Sequence, residues 1–121
     1  MVYAKSNYAT IEDSTDFVVC KYVKKFMPEK INNSFSPGGV YVWALVKAPK
    51  NEKINLEWLF GGSKIYQTSI SVIRDLNGYR VYFFQTLLDT GNYEVRLYNS
   101  NNDLIGIKEF KIEKVTRQIK K

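Results

Sequence analysis

Leu88-Asp89-Thr90-Gly91-Asn92-Tyr93-Glu94-Val95 is the stretch that decides the fold. In the pattern Asp-x-Gly-x-Tyr-x-Val, the glycine permits a tight corner. The tyrosine packs its ring inside and bonds backbone near the corner with its hydroxyl, which pins how one β-sheet hands over to another. An alternating segment, Tyr79–Leu87, leads into this corner. A turn at Asn99–Asp103 and a partner segment, Leu104–Ile112, follow it.

Working outward, period-two patterning gives further strands. Phe17–Val23 is the first convincing one. Lys24–Gly39 holds Pro28, Pro37, Gly38, Gly39 and Asn32-Asn33, which mark a long irregular connection around Phe35. Val40–Ala48 follows, ended by Pro49 and a polar turn. Ile54–Phe60 places Ile54, Leu56, Trp58 and Phe60 on one face, and Gly61-Gly62 is a hairpin signal before Ser63–Arg74. Asp75-Leu76-Asn77-Gly78 reads as a turn before Tyr79–Leu87, and Asn92–Tyr98 and Leu104–Ile112 close the chain. About seven strands at this spacing predict an all-β, immunoglobulin/fibronectin-like antiparallel sandwich. Trp58 stands where such cores bury a Trp, and Val95 stands where antibody-type domains carry a cysteine. No disulfide is expected, so Trp58, Tyr93, Phe83 and Phe110 must hold the core by packing, with Asp89 and Gly91 shaping the corner. The expected organisation is a linker or loosely ordered segment over 1–16, the sandwich over 17–113 and a basic tail over 114–121.

Composition bounds the chemistry. The chain has 121 residues, 45% of them hydrophobic and 15% aromatic, enough for one self-sufficient core. Val40–Val46 is the longest apolar run, far short of the ~20 residues of a spanning helix, so no transmembrane segment is expected. The start Met1-Val2-Tyr3-Ala4-Lys5 lacks a secretory pattern, leaving either a cytoplasmic protein or one whose leader has been removed. Cys20 is the single cysteine and there is no histidine. That combination removes cysteine-based metal sites, His-ligated zinc and the Ser-His-Asp and Cys-His nucleophile schemes. Cys20 itself reads as a packed, passive thiol. Of the net charge of +6, Lys108–Lys121 supplies +4 through six cations and two anions. The rest is nearly balanced, which provides thinly for a nucleic-acid groove.

Val40-Tyr41-Val42-Trp43, Leu56-Glu57-Trp58, Gly78-Tyr79-Arg80, Gly91-Asn92-Tyr93-Glu94-Val95 and Phe110-Lys111-Ile112, preceded by Pro28, together resemble a bacterial family of immunoglobulin-like β-sandwich domains of unknown function. The resemblance covers about Phe17 to Ile112. The chain departs from it at Val81-Tyr82-Phe83-Phe84-Gln85, where the family carries further Trp, Ser and Lys. The resemblance implies attachment to exported or membrane-anchored proteins, hence a periplasmic or cell-surface location, and it supplies no catalytic residues.

Carboxylate chemistry is the acid/base option left to a chain without histidine, but Asp75, Asp89 and Asp103 fall in expected turns. Asn99, Asn101, Asn102 and Asp103 crowd oxygens into one loop, yet calcium favours several carboxylates, and an Asn-rich turn explains them better. No metal or other cofactor is expected. The aromatic residues are more informative. If Val40, Val42, Ala44 and Val46 face the core, Tyr41, Trp43 and Leu45 point outward. The same rule turns Arg80, Tyr82 and Phe84 outward, and likewise Arg96 and Tyr98. One core cannot consume both faces of these strands. The outer aromatic face is then either covered by the Lys24–Gly39 connection or the N-terminal stretch, or it is an interaction surface. The expected function is a non-enzymatic binding or assembly module of an exported bacterial protein, which contacts a protein partner or its own copy through Tyr41, Trp43, Arg80, Tyr82, Phe84, Arg96 and Tyr98. A carbohydrate-binding accessory domain using the same face is the alternative, and nucleic-acid binding through the basic tail ranks last.

Overall fold

The alternating segments become nine strands in the computed structural model, which describes residues 7–114. They are β1 Phe17–Lys24, β2 Met27–Ile31, β3 Ser34–Phe35, β4 Gly38–Ala48, β5 Glu52–Phe60, β6 Ser63–Val72, β7 Asp75–Leu87, β8 Gly91–Tyr98 and β9 Leu104–Ile112. A four-stranded sheet in the order β2-β1-β4-β7 packs on a five-stranded sheet in the order β3-β9-β8-β5-β6. Neighbours are antiparallel except β3 and β9. The architecture is an immunoglobulin-like sandwich without a disulfide, since the one cysteine is free.

Alternation places the core. Val40, Val42, Ala44 and Val46 of β4 and Val81 and Phe83 of β7 meet Ile54, Leu56 and Trp58 of β5 and Tyr93, Val95 and Leu97 of β8. Trp58, Phe110 and Tyr93 form its aromatic centre: Tyr93 stacks on Phe110 with ring centroids 5.4 Å apart, and Trp58 meets Phe110 edge-on at 6.4 Å. At the corner the Tyr93 hydroxyl donates to the Asp89 carbonyl at 2.7 Å. Burial raises the Tyr93 phenol above its ordinary range, with the Asp89 charge adding to it. Gly91 has φ +144°, and a Cβ there would lie 2.8 Å from the Phe60 ring, so both backbone and space demand glycine.

The count exceeds seven because Lys24–Gly39 carries two short strands. β2 follows a two-residue turn, Lys25-Phe26, with φ 50° and 62°. Hairpin turns of this hand favour Asn and Gly, so nothing in the sequence announces it. Pro28 is tolerated because β2 is an edge strand. The expected turn at Asp75–Gly78 is instead a bulged part of β7, since the β4–β7 register shifts there and Asp75 Oδ1 accepts the amides of Asn77 and Gly78 at 3.0 and 3.2 Å. The chain crosses between sheets earlier, at Ile73-Arg74.

Of the stretch 1–16 expected to be a linker or loosely ordered, residues 7–16 are described, and they lie against the sandwich. Ala9 is fully buried in the core, and Thr10 bridges Lys47 of β4. The Ala9 amide donates to Glu52 Oε1 at 2.7 Å, and its carbonyl accepts from Asn99 Nδ2 at 3.1 Å. Asp13 then caps a short 3₁₀ turn, Ser14–Asp16, ahead of β1. The basic tail lies, from residue 115 onward, outside the described residues.

Candidate binding face

Register fixes what the outer face of the four-stranded sheet presents. Cys20 of β1 stands opposite Tyr41 of β4, which stands opposite Phe84 of β7. One step along, Val18 pairs Trp43, which pairs Tyr82, and Leu45 pairs Arg80. Side chains of paired residues share a face, so Tyr41, Trp43, Arg80, Tyr82 and Phe84 are brought together as expected.

Their exposure divides them. Trp43 is only 4% exposed and is packed with Val18 and Cys20, flanked by Val23, Tyr41 and Leu45. β1 pairs with β4 only as far as Cys20 and then continues with β2 alone, so the hairpin is free to fold back over the face. Its turn delivers the Phe26 carbonyl to Trp43 Nε1 at 2.8 Å. Trp43 is therefore a covered anchor rather than a contact residue. Burial pushes the Cys20 thiol up to about 11, in keeping with a passive packed group.

What remains open lies beside β7. Tyr82 is 44% and Phe84 53% exposed, with Tyr41 half-buried between them. Tyr41 meets Phe84 at 4.9 Å and Tyr82 at 6.2 Å, inclined by 53° and 61°. Gly39 sets how low the Phe84 ring sits: a Cβ there would fall 2.6 Å from Phe84 Cε1, so the ring lies directly on backbone. Arg80 is exposed, and no carboxylate among the described residues pairs with it.

Arg96 and Tyr98 are not part of this face. They sit on β8, in the five-stranded sheet, and point outward on the opposite side of the molecule. Arg96 is also engaged, through Nη2 to Glu94 Oε2 at 2.8 Å and Nε to the same oxygen at 3.0 Å. Alternation says that a side chain points outward but not which sheet its strand joins, so this grouping was beyond the reach of parity. The Asn-rich loop likewise spends its oxygens on itself. Asn99 Oδ1 accepts the amides of Asn101 and Asp103 at 2.9 and 3.0 Å, and Asp103 Oδ2 accepts from the side-chain amides of Asn99 and Asn101.

A family model described as "Protein of unknown function (DUF2914)" matches residues 51–112. The chain belongs to this DUF2914 family. The matched stretch runs from β5 to β9, so Arg80, Tyr82 and Phe84 lie within it, while Gly39, Tyr41 and Trp43 precede it. No curated protein matches this DUF2914 chain. Among solved structures, it is similar to the CARDB domain of the PF1109 protein from Pyrococcus furiosus in complex with di-metal ions, at 10% identity and a TM-score of 0.50, over 94% of this chain and 100% of that one. Identity that low carries the fold alone. No helix among the described residues is long and apolar enough to cross a membrane.

Proposed function

We propose that this DUF2914 chain is a non-enzymatic binding or assembly module of an exported bacterial protein, and that it contacts a protein partner through Tyr41, Arg80, Tyr82 and Phe84. The observation that carries the reading is the exposed ring pair Tyr82 and Phe84 beside an Arg80 that pairs with no carboxylate among the described residues. Large aromatics and arginine at a solvent-facing patch are the residue types that anchor protein interfaces. A non-enzymatic role is supported by a chain without histidine, in which the Asp75 carboxylate accepts the backbone amides of Asn77 and Gly78 and the Asp103 carboxylate accepts the side-chain amides of Asn99 and Asn101. The exported, periplasmic or cell-surface setting rests on the resemblance of its motifs to domains of exported proteins.

A glycan partner has less in its favour. Sugar rings stack on flat, exposed aromatic faces, whereas Trp43 is covered and the rings around Tyr41 are steeply inclined to one another. Site-specific photocrosslinking tests the reading, with p-benzoylphenylalanine placed at position 82 and, on the opposite face, at position 98 in producing bacteria. Discrete protein adducts from position 82 and none from 98 are expected. Equal adducts from both positions, or none from either, would overturn it.

A further inference from the structure

We propose that the partner is an extended peptide segment that adds as a strand to the free edge of β7, and that its outward side chains run apolar-x-apolar-x-acidic. This inference rests on the functional reading above and specifies its ligand. Its starting point is an imbalance between the two layers. Phe17 of β1 packs on Gly106 of β9, with a Cβ there only 2.8 Å from the ring, so β1 overlies β9. Following both strand orders from that pair sets β4 over β8 and β7 over β5, and leaves β6 with no strand of the described residues above it.

Burial agrees with that alignment. On β5 the inward residues Ile54, Leu56 and Trp58 are 0–1% exposed. Their cross-strand partners on β6 are Ile70, Thr68 and Tyr66, which share the inward face. Thr68 is exposed, Tyr66 is 43% exposed, and Ile70 is only half-buried. The four-stranded sheet therefore stops one strand short, and the missing place lies beside β7 and above β6. Along β7 the bulge at Leu76–Gly78 ends the regular edge, which leaves Tyr79–Leu87 paired, among the described residues, with β4 alone. Proline and lysine, which commonly blunt such edges, are absent from Tyr79–Leu87, whereas β2 carries Pro28 and β3 has two residues.

The geometry also selects the occupant. A second copy offering its own β7 would bring its overhanging β6 into the space that β5 and β6 already fill, so a bare strand fits where a whole sandwich edge does not. The segments of this chain outside the described residues, 1–6 and 115–121, contain no Asp or Glu to meet Arg80. A strand running antiparallel to β7 meets Phe84, then Tyr82, then Arg80 on the outer face, which sets the order of side chains. Its alternate residues lie over Tyr66, Thr68 and Ile70. Main-chain bonds supply affinity and the alternating side chains supply selectivity, as in other edge-strand recognition.

The test uses the full 121-residue chain, isotope-labelled for amide spectra, and a capped nonapeptide with Val at positions 3 and 5, Glu at 7 and Thr elsewhere. Saturable shifts are expected at the amides of Tyr79–Leu87 and Tyr66–Ile70. Arg80→Glu should weaken binding about tenfold or more and favour the matching peptide with Lys at 7, since a charge-assisted contact is worth about that much. The reversed sequence, or N-methylation of the amides facing β7, should abolish binding, while Tyr98→Ala leaves it intact. If N-methylated peptide binds equally, with shifts confined to Tyr41, Tyr82 and Phe84, strand addition is wrong but the aromatic face still binds. A doubled sedimentation mass with protected β7 amides would make a second copy the occupant and overturn the peptide. Absence of shifts up to about millimolar peptide, the weak limit of specific recognition, also overturns the inference, and crosslinking from position 82 then decides separately whether the functional reading survives.

Discussion

Between the sheets, Tyr93 stacks on Phe110 and lies tilted against Phe60, and its hydroxyl is tied to the Asp89 carbonyl; outside them, Tyr41 leans on Phe84 and Tyr82 with no hydrogen bond among the described residues restraining the rings. The two clusters use the same residue types at similar ring distances. They differ in what covers them. The inner one is closed by a facing sheet, whereas the outer one is closed only over Trp43, by one hairpin turn, and stays open at Tyr82 and Phe84. Packing of rings alone therefore does not separate a core from a contact surface. The second layer does.

The comparison is broken most easily at its centre. Trp58→Ala should cost about 3–5 kcal/mol, the usual range for emptying a large buried aromatic site, and bring the domain near its unfolding threshold. Urea denaturation measures it, and a loss below about 1 kcal/mol would mean the inner cluster is not the core. Trp43 is the intermediate case, buried but outside the sandwich. Trp43→Ala should cost about 2–3 kcal/mol, less than an inner aromatic because only a hairpin closes the site, and it should release the hairpin, seen as faster amide exchange across β2. Unchanged exchange there would show that the Phe26 carbonyl contact does not hold the cover down. Tyr93→Phe removes one hydroxyl from a closed site and should lower stability by about 0.5–1.5 kcal/mol; coincident unfolding midpoints would dissolve the tyrosine corner.

The sequence carried the inner cluster and the corner because both are written in local spacing. Gly91, Tyr93 and Val95 fix a bend, and the alternation in Ile54–Phe60 fixes which residues face inward. The outward direction of Tyr41, Trp43, Arg80, Tyr82 and Phe84 was legible for the same reason. What stayed hidden depends on chain returning from elsewhere. Lys24–Gly39 stood among the segments that could cover the face, but its Lys25-Phe26 turn takes a left-handed backbone without Gly or Asn, so nothing local marks that it closes on Trp43 and leaves Tyr82 and Phe84 open. The assignment of β8 to the other sheet, which takes Arg96 and Tyr98 away from the aromatic face, follows from its pairing with β5 and β9. The burial of Ala9 depends on Glu52 and Asn99, far along the chain. Period-two arguments assign directions to side chains, and only tertiary pairing assigns them neighbours.

The smallest stability effect is the most informative about function. Tyr82→Ala and Phe84→Ala each remove a half-open ring from an edge strand, where part of the apolar surface already meets water, so each should change stability by no more than about 0.5 kcal/mol. Binding should respond far more strongly, because truncating an exposed aromatic anchor at an interface commonly costs above about 1 kcal/mol. Gly39→Ala adds a control that removes neither ring: its Cβ would press on Phe84 Cε1, and the exposed ring can swing away, so the platform is reshaped while the fold is kept. Denaturation midpoints and affinity for the β7-directed peptide, measured on all three variants, set the two clusters apart. If Tyr82→Ala or Phe84→Ala lowers stability as much as Tyr93→Phe does while binding is unmoved, the outer rings serve the fold, and the contrast between an inner core and an open contact face collapses.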